Sequence, residues 1–309
     1  MSSDAKPRRA PLFLRLVPSQ LSAGGVKRLH PAPRTTFVLS TGRTGSVYLA
    51  DLMNQLDDVV SLHEPKPSRI LIAWTSAFLE GHVSRDYMSA VLANKRRKLL
   101  ADVETGLYVE SNNFISGFAD SLEDVFDNPT VIHVVRDPRD FVTSQTNRGD
   151  SSGLRGFLNK YVPYLAYTPE GKKQRQLDAL ERGAYRWEAI NKYLSDYGNR
   201  NPNRYHYFKF EEVFDKKNKS EMKRLLKACG LSTKQISELD FEDRSTQHAQ
   251  SGFSILDKPQ DSSNSSRVER MKKWREWSDE DAKRLQVVCG PLMKQYGYGN
   301  EPEWRKTIR

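Results

Sequence analysis

The run Val131-Ile132-His133-Val134-Val135 constrains the fold more than any other stretch, because it is almost wholly apolar and breaks at once into Arg136-Asp137-Pro138-Arg139. A strand with one wet face alternates polar and apolar residues, whereas a strand covered on both faces reads as a continuous apolar run. Such strands belong to parallel sheets with crossover helices on both sides. Thr35 to Ser40 is a second run of this type, ending in Thr41-Gly42-Arg43-Thr44-Gly45-Ser46 and followed by Val47, Leu49, Leu52, Met53 and Leu56 at helical spacing. Each run is a strand delivering the chain to a polar turn that starts a helix.

The alternation continues along the chain. Val59 to Leu62, Leu107 to Glu110 and Tyr205 to Phe210 read as further strands, and Ser68 to Glu80, Ser84 to Leu100, Leu177 to Tyr197, Ser220 to Cys229 and Ser278 to Tyr296 as helices. Pro138 suits a first helical turn, and Gly230 suits a helix stop. Residues 257 to 266 read as a flexible polar loop. The order predicts a three-layer α/β sandwich around a parallel sheet, with a domain over 35–300, an extension over 1–34 and a tail over 301–309.

Both turns are built for anions. Gly42 and Gly45 permit unusual φ and close backbone approach, and the helix that follows starts with unpaired N–H groups aimed at the turn. A phosphate loop of the ATP-binding kind needs GxxxxGK followed by Ser or Thr, but here the glycines are three apart and no Lys follows the second. At the other edge Arg136 follows its strand directly and Ser144 lies eight residues on, about two turns into the helix opened by Pro138. An Arg fork and a hydroxyl there can grip one phosphate at the carboxyl edge of the sheet. The competing reading of this edge is a loop salt bridge between Arg136 and Asp137. Two such edges suit one ligand with two separated phosphates.

Charge and composition narrow the alternatives. The formal net charge is +10, but residues 1–34 hold seven basic side chains against Asp4 alone, leaving only +4 for the other 275 residues. A nucleic-acid module would spread its basic residues over the folded part. The leader therefore reads as a disordered extension, with an anionic-surface contact or organelle targeting as the other options. Lys95-Arg96-Arg97-Lys98 reads as a solvated helix end. Cys229 and Cys289 are too few for a disulfide framework or a CxxC metal site, so a reducing, cytoplasmic setting without structural zinc is expected. No apolar run approaches the roughly 20 residues of a membrane span.

Together the two edges resemble the sulfotransferase family that uses 3′-phosphoadenosine 5′-phosphosulfate (PAPS). That family's 5′-phosphosulfate loop reads Arg or Lys, Ser or Thr, Gly, Ser or Thr, matched by Arg43-Thr44-Gly45-Ser46, and its 3′-phosphate motif RDPR…S is matched by Arg136-Asp137-Pro138-Arg139 and Ser144. Tyr207 to Glu212 resembles the family's strand ending in Y-E-D-L, with Phe210 where Tyr stands. Ser265-Ser266-Arg267-Val268 through Arg275 is similar to the loop that closes over the nucleotide, and Leu285 to Tyr298 to the closing helix.

The resemblance implies a P-loop NTPase-like sulfotransferase fold. It also implies transfer of a sulfuryl group from PAPS to a small-molecule or carbohydrate hydroxyl or amine, leaving the bisphosphate PAP. Arg43, Thr44, Gly45, Ser46 and Val47 would hold the 5′ end, Arg136 and Ser144 the 3′-phosphate, and Phe210, Ser266 and Arg267 the rest of the nucleotide. No metal is required. Cytosolic members place a His base after the strand matching Leu107 to Glu110, where this chain has Ser111-Asn112-Asn113. Ser61-Leu62-His63-Glu64-Pro65 instead resembles the Glu-Pro segment of carbohydrate-type and bacterial members, making Glu64 the candidate base, then His63, then Glu110. An inactive PAPS-binding protein and a nucleotide or sugar kinase are the alternatives. The oligomeric state is left open, a homodimer included, and no nucleic-acid partner is expected.

Overall fold

The computed structural model describes residues 34–101, 103, 106–146, 167, 174–215, 217–242 and 274–308. Five strands, β1 (Arg34–Leu39), β2 (Val59–His63), β3 (Leu107–Ser111), β4 (Thr130–Val135) and β5 (Tyr205–Lys209), form one sheet in the order β2-β3-β1-β4-β5. Every neighbouring pair is parallel, with Phe37 opposite Glu110 on one side and Val131 on the other. The five expected strands are all present, and their carboxyl ends share one edge.

The apolar runs divide between the two faces as a doubly covered sheet requires. Phe37, Leu39, Tyr108 and Val131 pack with the helices Leu71–Leu79, Arg85–Ala101, Ala119–Val125 and Ala179–Arg200. Val38, Val109, Ile132 and Val134 pack with Ser46–Met53, Ser220–Ala228 and Thr233–Glu238 on the other side. Alternate residues of each strand thus reach opposite cores, which is why the strands show no polar alternation. His133, the polar exception in β4, is fully buried between the Tyr205 hydroxyl at 2.7 Å and Asn191 Oδ1 at 2.8 Å. Burial pushes its imidazole down to about 4, so it serves as a neutral core group.

Sequence reasoning missed several short elements among the described residues: the 3₁₀ turns Asn113–Phe118 and Gln174–Gln176 and the helices Ala119–Val125, Phe210–Val213, Thr233–Glu238 and Pro302–Thr307. Three expectations need correction. Arg34 belongs to β1, its Nη1 donating to Gly230 O at 3.1 Å, so this strand takes in one residue before the expected Thr35. Residues 301–309 are not a loose tail over their described part, because Pro302–Thr307 is a helix and Trp304 is buried. Arg96 is not a solvated helix-end cation; it is fully buried, paired with Glu110 at 2.6 Å. The loop around 257–266 lies outside the described residues.

Candidate active site

The first turn holds three residues of positive φ within four positions. Gly42 and Gly45 take φ of 95° and 70°, and Arg43, a residue with a Cβ, takes 62°. The Ser40 hydroxyl accepts from Gly42 N at 3.0 Å and bonds Thr44 Oγ1 at 2.8 Å, tying the turn to the end of β1. Gly45 caps the helix Ser46–Met53 without a side-chain hydrogen bond, so the N–H groups of its first turn are available to an anion. A Cβ on Gly45 would stand 2.2 Å from Phe214 Cζ, so the glycine is required by packing as well as by φ. Ser46 is half-buried and Val47 exposed beside it.

The second edge closes onto the first. Arg136 Nη1 donates to Arg43 O at 2.9 Å, and Arg43 Nε donates to Ser144 Oγ at 3.0 Å. Four residues singled out from sequence, Arg43, Thr44, Arg136 and Ser144, therefore meet at one place, with the Arg43 side chain exposed above it. The loop salt bridge between Arg136 and Asp137 is not what forms: Asp137 pairs with Arg139 at 2.5 Å and leaves Arg136 to the turn. Trp187 Nε1 donates to Arg136 O at 2.7 Å and fixes the backbone there. Phe210 is buried, with the Arg136 guanidinium carbon 4.8 Å above its ring and the Phe214 ring at 4.9 Å. One face of its ring thus supports Arg136.

Glu64 follows β2 at the same edge, its N–H donating to Ser111 O at 3.1 Å and its φ at 45°. Its Oε1 accepts from Asn113 Nδ2, and its Oε2 lies 3.8 Å from His63 Nε2. Both side chains of the His63-Glu64 pair are partly exposed. Glu110, the third candidate base, is fully buried and takes hydrogen bonds from Arg96 at 2.8 and 2.6 Å, Tyr108 at 2.8 Å and Asn112 at 2.7 Å. Such a carboxylate is a core ion pair with its acceptor capacity taken, and it is withdrawn as a base.

Asn113 and Arg186 were not anticipated. Arg186 Nη2 donates to Asn113 Oδ1 at 2.9 Å, and both line a crevice with Thr75, Ser76, Tyr167 and Ile190. Asn113 had a signal, its place just past β3 at the functional edge; Arg186, in the middle of a long helix, had none. Ser266 and Arg267 lie outside the described residues. Among the described residues no group of three or more His, Cys, Asp or Glu could hold a metal ion, and no helix is long and apolar enough to cross a membrane.

Comparison with known proteins bears on this site directly. A sulfotransferase domain model matches residues 33–297, from the start of β1 to the end of the helix Asp279–Gln295. The chain belongs to the sulfotransferase family. Its activity class is accordingly sulfuryl transfer. Among solved structures it is similar to the sulfotransferase domain of the Synechococcus PCC 7002 olefin synthase, with 16% identity, 88% of this chain and 98% of that chain covered, and a TM-score of 0.52. It is also similar to sulfotransferase STF9 from Mycobacterium avium, at 15% identity, 87% and 78% coverage and a TM-score of 0.49. Mouse sulfotransferase SULT7A1 complexed with PAP matches at 12% identity, 89% and 88% coverage and a TM-score of 0.45. No curated protein sequence matches the chain. The first of these likenesses confirms the sulfotransferase fold.

Proposed function

We propose that this sulfotransferase takes its sulfuryl group from PAPS and delivers it to a hydroxyl, with Glu64 as the general base. The observation that carries the reading is the junction of Arg43, Arg136 and Ser144, where two phosphate-binding edges meet within hydrogen-bond distance. A ligand with separate 5′ and 3′ phosphates fits such a junction: the Thr44–Val47 N–H groups and Arg43 face the 5′ end, and Arg136 with Ser144 the 3′-phosphate. When bound, PAPS supplies an activated sulfuryl group on a good leaving group.

The chain's residues have the remaining work. Arg43 and the helix N–H groups balance the negative charge that gathers on the 5′-phosphate as the sulfur–oxygen bond breaks. Glu64 takes the proton of the acceptor hydroxyl as its oxygen bonds to sulfur. Asn113, which donates to Glu64, also lines a small crevice with Ile72, Leu79 and Ile190. His63, beside Glu64, is the secondary base.

Thermal unfolding with about 1 mM PAP tests the donor, since a ligand of the folded state alone raises the midpoint. We expect a clear rise for the wild type and a dissociation constant about 10 to 100 times weaker for Arg136→Ala, the loss of a charged hydrogen-bonding pair. Glu64→Gln should bind PAP normally and transfer about a hundredfold or more slowly. No shift with PAP in the wild type would rule out the donor, and full activity of Glu64→Gln the base.

A further inference from the structure

The Glu64 carboxylate is held from behind by a chain of side chains reaching another layer of the molecule. Asn113 Nδ2 donates to Glu64 Oε1, and Asn113 Oδ1 accepts from Arg186 Nη2 at 2.9 Å. A guanidinium can only donate, so Arg186 obliges the amide to turn its oxygen outward and its NH₂ toward the carboxylate. Each member sits on a braced element. Asn113 opens the 3₁₀ turn whose cap, Asn112, accepts from Phe114 N, and Arg186 stands in the helix Ala179–Arg200, which a capping box at Asp178 and Glu181 secures. Glu64 itself has a left-handed backbone, φ 45°, a conformation that persists only where its surroundings hold it.

Asn113 also touches the donor turn. A Cβ built on Gly42 would lie 3.2 Å from Asn113 Cγ, so the amide is packed against the backbone of the loop that ends in Arg43. One side chain thus contacts both the donor turn and the candidate base. We infer that Asn113, its amide oriented by Arg186, is a positioning residue that sets the Glu64 carboxylate relative to the donor turn, and that Arg186 acts through it. The inference rests on Glu64 being the base.

The test is PAPS cleavage with water as acceptor, followed as release of labelled sulfate under single-turnover conditions with enzyme in excess. Misplacing a catalytic group by about 1 Å can cost on the order of a hundredfold. Asn113→Ala and Asn113→Asp, which both lack the NH₂ donor, are expected to lower the maximal rate about 10- to 100-fold while leaving half-saturation by PAPS unchanged within about twofold. Arg186→Gln should lower the rate in the same direction, and Asn113→Ala added to it should cost little more, because residues acting in series are not additive. In a Glu64→Gln background Asn113→Ala should have no further effect. An equal loss there, or a change confined to half-saturation, overturns the inference. If Asn113→Ala does not fold, Arg186→Gln with and without Glu64→Gln gives the same reading. A wild-type rate for Glu64→Gln would instead sink the base assignment, and no cleavage by the wild type the catalytic reading as a whole.

Discussion

At the scale of single residues, two carboxylates on adjoining strand ends meet different fates because their neighbours differ. Glu64 faces an amide and an imidazole at an open edge, whereas Glu110, on the adjacent strand, is sealed beneath a bidentate guanidinium. A buried pair of that kind is costly to break, because the survivor keeps its charge without a partner. Arg96→Leu should therefore cost about 3–5 kcal/mol, while Arg96→Leu with Glu110→Leu should recover much of that loss. Urea unfolding of the single and double variants checks it; equal losses in both would mean the pair is not the source. Sequence could not separate these carboxylates. Nothing in Lys95-Arg96-Arg97-Lys98 marks the second residue as the one turned inward, since that depends on helix phase against a strand fourteen residues on. The meeting of Arg43, Thr44, Arg136 and Ser144 was legible because each lies at a strand end, a turn or a helix start; that of Asn113 and Arg186 was not, because their partnership exists only across 73 residues of chain.

At the scale of elements, the strands and long helices announced themselves through periodicity, and the misses were short pieces held by tertiary contact. The turn Asn113–Phe118 buries Ile115 and Phe118 although its six residues are too few for any period to show. The helix Pro138–Thr146 illustrates how a functional edge carries a local cost. Asp140 lies in its first turn, where the helix dipole favours an acid, yet it is buried and its Oδ1 has no partner among the described residues. Burial, reinforced by the charge of Asp137, pushes its carboxyl from 3.8 up to about 8 against the opposing pull of Arg136 and Arg139. The folded state then holds a proton that the unfolded chain releases, so this residue's effect on stability worsens as pH rises from about 4 to about 8. Asp140→Asn should remove that fall: its unfolding midpoint should match the wild type near the acid end and exceed it by several degrees at the alkaline end. Parallel curves across the window would show that Asp140 is ionised in the fold.

At the scale of the whole molecule, the chain's far end braces the edge where the 3′-phosphate would sit. Arg139, one turn after Arg136, is bound by Asp137 and by Glu301 at 2.7 Å, and its guanidinium carbon lies 4.1 Å from the Trp274 ring centre and 5.0 Å from that of Trp304. The two indoles meet edge to face at 5.5 Å. This cluster joins β4, the helix Pro138–Thr146 and the C-terminal helices into one core, so residues 301–308 belong to the same folding unit as the donor site. Trp304→Ala should open a cavity in that core and remove one wall of the cation's box, costing about 3–5 kcal/mol. Because the loss falls on the anchor of Arg139 and not on Arg136, affinity for PAP in the folded fraction should change far less than for Arg136→Ala. Denaturant unfolding with an unchanged slope and a lower midpoint is the expected signature. A variant that unfolds like the wild type would show that Trp304 rides on the domain without supporting it.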